Sequence, residues 1–87
     1  MHETAWIADL VEKVAAVARR DGAKRVVGVT VRLGPSSVLS PEHLRERFAD
    51  AARGTIADGA WLAITRVGQE VGPIERSEVL DSIEIET

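Results

Sequence analysis

The hydrophobic positions change period along the chain. Ile7, Leu10, Val11, Val14, Val17 and Ala18 recur at i, i+3, i+4 and i+7, with Asp9, Glu12, Lys13, Arg19 and Arg20 on the other side. That spacing predicts a helix from about Thr4 to Arg20. Acid lies early and base late, which suits the helix dipole, and Gly22 fits a C-terminal cap. In KRVVGVTVRLG the period falls to two: Val27, Val29, Val31 and Leu33 alternate with Gly28, Thr30 and Arg32. This predicts a strand with one buried face, broken by Gly34-Pro35-Ser36-Ser37. Ser40-Pro41-Glu42-His43 reads as a helix start, with Ser40 as N-cap and Pro41 at the first helical position. Leu44, Phe48, Ala51 and Ala52 form the stripe of this second helix, which runs to about Arg53 and ends at Gly54. After the turn at Asp58-Gly59, a strand from about Ala60 to Val67 points Leu62 and Ile64 inward and Trp61, Ala63, Thr65 and Val67 outward. Residues 68–79 read as a loop, and a last strand from about Val79 to Glu86 sets Ile83 and Ile85 against Ser82, Glu84 and Glu86.

The order α-β-α-β-β defines an α+β fold, with two helices packed on one face of a small three-stranded sheet so that both apolar stripes are buried. The last two strands are expected to pair as a hairpin, across a connection longer than most hairpin loops. No internal repeat or low-complexity segment interrupts this, and residues 1–87 read as one domain.

Composition narrows the chemistry. Hydrophobic residues make up 45% of the chain, but only Trp6, Phe48 and Trp61 are aromatic, so the core is aliphatic and modest. There is no cysteine, which excludes disulfides, a thiolate zinc site and a thiol nucleophile. No apolar run is long enough to span a membrane, and the N-terminus lacks a signal-peptide layout, so a cytoplasmic location is expected. A net charge of -3 argues against nucleic acid as the main partner. Arg19, Arg20, Lys24 and Arg25 form a basic cluster that reads as a solvated helix end. With no phosphate-cradling GxxxxGK[ST] loop and no nucleophile–base pair, neither nucleotide hydrolysis nor other catalysis is expected.

The N-terminus carries the candidate chemistry. The Met1 amine, the His2 amide nitrogen and the His2 imidazole form two fused chelate rings, and the Glu3 amide nitrogen can close a fourth corner. Four nitrogens in a plane suit Ni(II) or Cu(II) rather than Zn(II), which prefers tetrahedral sites. Glu3 can add a carboxylate oxygen or steady the ring from outside the coordination sphere. The amine must be free and deprotonated, so binding weakens as pH falls. The competing reading is a frayed end, with Glu3 favoured by the helix dipole. His43 reads as an exposed helix histidine, and Ser40 is explained by its capping role. Trp61, on the outward face of its strand, is either a partner contact or a cover for an open part of the sheet.

MHE at the N-terminus, GAKRVVGVTVRLG in the first strand, FADAARGTIADGAWLAI from the second helix onward and the closing SIEIE together resemble the HypA family, nickel-delivering chaperones of hydrogenase and urease maturation. The resemblance runs from Met1 to about Val67 and again from about Leu80 to Glu86. It implies a nickel-binding domain that holds Ni(II) transiently at Met1, His2 and Glu3. It also implies a nickel-handling GTPase of the HypB type and a hydrogenase large subunit as partners, and leaves an oligomer open. The family carries a zinc domain on two CxxC pairs between the second and third strands. Here that place is taken by residues 68–79, and with no cysteine no structural zinc is expected. Two other roles fit the same resemblance: a metal-free adaptor in hydrogenase assembly, and a dimerisation module that pairs open sheet edges.

Overall fold

The computed structural model describes residues 3–34, 40–66 and 78–87. Two helices and three strands follow in the order α1 (Glu3–Arg20), β1 (Arg25–Leu33), α2 (Pro41–Ala52), β2 (Trp61–Arg66) and β3 (Glu78–Glu86). The α+β reading is met. Pro35–Ser37, Val67 and residues 68–77 of the expected loop lie outside the described residues, while Glu78 and Val79 belong to β3.

The apolar stripe of α1 buries Ile7, Leu10, Val11, Val14 and Ala18, with Val17 half-buried at its margin. Gly22 (φ 73°) follows, and its N–H donates to the Arg19 carbonyl at 3.1 Å. In α2 the Ser40 hydroxyl accepts from the His43 N–H at 3.5 Å and Pro41 opens the first turn. Leu44, Phe48 and Ala52 are buried there, whereas Ala51 is exposed.

The sheet order is β2-β1-β3, which corrects the expected hairpin. β1 runs parallel to β2 and antiparallel to β3. A parallel neighbour needs a crossover, and α2 supplies it. β1 is the most deeply buried strand, with Val26, Val29, Val31 and Leu33 each no more than 1% exposed. It therefore takes the centre, and the two less buried strands become edges.

The pattern along β1 also needs correcting. Val26 pairs with Ile85 and Gly28 with Glu84, leaving Val27 as an extra residue on β1. This bulge shifts the phase by one, so Val26 takes the inward place and Val27 is half-buried. A second irregularity between Thr30↔Ser82 and Val31↔Leu80 leaves Asp81 extra on β3 and returns Leu80 to the core side.

The connection from α2 to β2 is an ordered turn. Gly54 and Gly59 have φ of 81° and 84°, a region open mainly to glycine. The Asp58 carboxylate accepts from the Gly54 N–H at 2.9 Å, and the Thr55 hydroxyl donates to the Ala52 carbonyl at 2.7 Å. Ala57 is fully buried, and the Ile56 carbonyl accepts from the Val26 N–H at 2.9 Å. The turn thus anchors the start of β1. Arg45 ties α2 to the edge strand through Nε, donating to the Leu62 carbonyl at 3.1 Å.

Both helices pack against the core face of the sheet, and Gly28, Trp61 and Glu84 share the other. Trp61 and Glu84 are the cross-strand partners of Gly28 on its two sides. At one end of the sheet, Arg66 closes β2 and Glu78 opens β3, each opposite Leu33.

Candidate metal site at the start of α1

Of the three residues expected to bind metal, Glu3 is the first residue of α1, and Met1 and His2 lie outside the described residues. The first four N–H groups of an α-helix have no acceptor within it. A helix that begins at Glu3 therefore leaves the Glu3 backbone nitrogen outside its hydrogen-bond ladder. The same end carries the positive pole of the helix dipole, which favours negative charge such as a deprotonated amide.

One turn further along α1, Ile7 and Ala8 meet Arg47, Asp50 and Ala51 of α2 around an open cleft of about 270 Å³. Its lining is mainly apolar, and its one carboxylate, Asp50, is paired with Arg53 at 2.7 Å. Among the described residues no three His, Cys, Asp or Glu side chains converge into a metal cluster. His43 is exposed and Ser40 serves as the cap. Arg19, Arg20, Lys24 and Arg25 are exposed as expected, and Arg25 pairs with Glu86 at 2.7 Å. No helix among the described residues is long and apolar enough to cross a membrane.

This architecture is shared with a solved protein, the solution structure of the Ni metallochaperone HypA from Helicobacter pylori. The two align with a TM-score of 0.78 over 99% of this chain and 98% of that one, at 16% sequence identity, a likeness of fold. A family model described as hydrogenase/urease nickel incorporation, metallochaperone, hypA, matches residues 1–72, and the chain belongs to the HypA family. It is similar to the hydrogenase maturation factor HypA of Archaeoglobus fulgidus, 38% identical over 65 residues, covering 75% of this chain and 59% of the relative. It is 40% identical over 67 residues to the factor from Picosynechococcus, covering 77% and 59%. The factor from Deinococcus radiodurans is 39% identical over 80 residues, covering 86% and 67%. The chain thus spans about three fifths of the length of the first two relatives.

One stretch that carries the resemblance takes on a different meaning in the structure. Residues 54–60, GTIADGA, build the turn that holds β1, with two left-handed glycines and a buried alanine. Those residues serve the scaffold. The buried Ala57 was not foreseen; its only sequence signal is its place between the two glycine turns.

Proposed function

We propose that this domain is a nickel chaperone that holds one Ni(II) through Met1, His2 and Glu3 and passes it to an enzyme under assembly. The observation that carries this reading is the family match, which begins at residue 1 and so includes Met1-His2-Glu3. The start of α1 at Glu3 supports it, because the Glu3 nitrogen stays outside the helical ladder. Ligands drawn from consecutive residues can exchange one at a time, which suits transfer rather than storage. The role is binding and hand-over, with no bond-breaking step. By family analogy the receiver is the large subunit of a nickel–iron hydrogenase, the co-worker is a GTPase of the HypB type, and the setting is the cytoplasm.

A calorimetric nickel titration of untagged protein with Met1 intact tests this. One nickel per chain, with the spectrum of a planar nitrogen site, is expected at neutral pH. His2→Ala removes the imidazole and the fused ring, and saturable binding is lost. Absence of nickel binding by the unaltered chain at pH 7 or above overturns the reading and leaves a metal-free adaptor, for which His2→Ala would still support hydrogenase maturation.

We infer further that residues 68–77, the part of 68–79 that precedes β3, stand in the place of the family's zinc domain and that the fold needs no structural metal. Among the described residues the core of α1, α2 and the sheet closes on aliphatic side chains and Phe48, with Trp6 packed at its margin. Treatment with EDTA is therefore expected to leave the thermal midpoint unchanged, where a metal-held fold would lose it. A fall of several degrees would place a structural ion in this chain.

A further inference from the structure

Gly28 sits in the middle of the outer sheet face, between Trp61 on β2 and Glu84 on β3. A Cβ at Gly28 would lie 3.0 Å from the Glu84 Oε1 and 3.4 and 3.5 Å from Cε2 and Nε1 of the Trp61 indole. The indole and the carboxylate therefore converge over a position that has no side chain of its own. Trp61 is 60% exposed, the one exposed large hydrophobic among the described residues. Glu84 is exposed and has no hydrogen bond or ion pair among the described residues. The nearest basic side chain along β1, Arg25, is committed to Glu86 at 2.7 Å. Arg32 lies four residues further along the strand, about 13 Å away at the rise of an extended chain.

An aromatic face beside an unneutralised carboxylate is the chemistry that recognises a cation. The indole attracts it through its quadrupole, and the carboxylate supplies charge and hydrogen-bond acceptors. Gly28 is buried beneath them, so the indole and the carboxylate lie close enough for one cation to meet both from the solvent side. We propose that Trp61 and Glu84, brought together over Gly28, form a docking site for an arginine or lysine side chain presented by an extended segment of a partner protein. Charge selects this occupant: the chain is acidic overall, and Glu84 has no ion-pair partner among the described residues, Arg25 being held by Glu86. The site is independent of the N-terminal metal chemistry.

The test uses the full chain carrying His2→Ala, in EDTA, so that nickel plays no part. The probe is an eight-residue peptide alternating arginine and threonine. Its control carries citrulline for arginine, which keeps the shape and removes the charge. Calorimetry gives the affinity, and in a Trp6→Phe background the emission of Trp61 reports contact at the site. Saturable binding of the arginine peptide is expected, with the citrulline peptide much weaker. Trp61→Ala is expected to weaken binding about two- to fivefold, and Glu84→Gln by a similar factor. Gly28→Ala pushes the Glu84 tip away from the indole and is expected to weaken binding likewise, with its unfolding midpoint preserved because only that side-chain tip must give. Equal binding of the citrulline peptide, no binding of either, or unchanged affinity in all three variants overturns the proposal. A concentration-dependent dimer dispersed by Trp61→Ala, without peptide binding, assigns the face to a second copy and also overturns it.

Discussion

Nickel affinity will rise about a thousandfold between pH 6.5 and pH 7.5 if the proposed planar site holds the metal, because that site would release about three protons per metal ion. The count follows from the ligands. The Met1 amine, with a reference pKa of about 7.7–8.0, is protonated over most of that range and must lose its proton. The His2 and Glu3 amide nitrogens bind only when deprotonated, which adds two more. The imidazole, with a reference pKa of about 6.5, is mostly neutral and contributes little. Each proton released steepens the dependence by a factor of ten per pH unit, and the sign is fixed: deprotonated ligands bind, so affinity grows with pH. Above the amine pKa the slope falls to two protons. The positive pole of α1, which begins at Glu3, favours the amidate charge. Competition against a chelator of known affinity, at half-unit steps of pH, measures the slope. A slope of about one proton would replace the amide nitrogens by a set of amine, imidazole and Glu3 carboxylate. A slope of zero would move the nickel away from the N-terminus.

Phe48→Ala will cost about 3–5 kcal/mol, a large part of the roughly 4–13 kcal/mol expected for a domain of this length. Phe48 is 1% exposed and is the largest fully buried side chain among the described residues. It sits on the inner face of α2, the crossover that makes β2 parallel to β1. It is the one aromatic ring among the fully buried side chains of the described residues, so its removal leaves a large cavity among aliphatic neighbours. Denaturant unfolding should show a much lower midpoint at an unchanged slope. A loss below about 1 kcal/mol would mean that α2 is not seated on the sheet through this residue.

Much of this architecture is written in periodicity. The stripes of α1 and α2, the capping Ser40 and the inward Leu62, Ile83 and Ile85 follow from spacing alone, because burial on one face repeats with the geometry of the element. What periodicity misses is what depends on partners distant in sequence. The choice of β3 rather than β2 as the antiparallel neighbour of β1 depends on a crossover. The exchange of Val26 for Val27 depends on a bulge against Ile85 and Glu84, and two adjacent valines give no local sign of which one is inward. At the N-terminus the ligand types are legible because chelation there involves neighbouring residues, and a short local set needs no tertiary contact to be read. The Trp61–Gly28–Glu84 convergence was only half visible: the outward Trp61 follows from alternation, whereas Glu84 arrives from 23 residues further along by strand pairing.

Arg66 and Glu78 flank the same residue of β1, Leu33, from opposite sides. Their strands lie one spacing to either side of β1, so the two ends are about 10 Å apart. The end of β2 and the start of β3 therefore lie at the same end of the sheet. The entropic cost of closing a loop grows only with the logarithm of its length. This junction is therefore a graft point: a folded module whose own termini lie about 10 Å apart can be added there or taken away while the ladder on either side stays in register. It is also the natural place to splice a reporter into this protein.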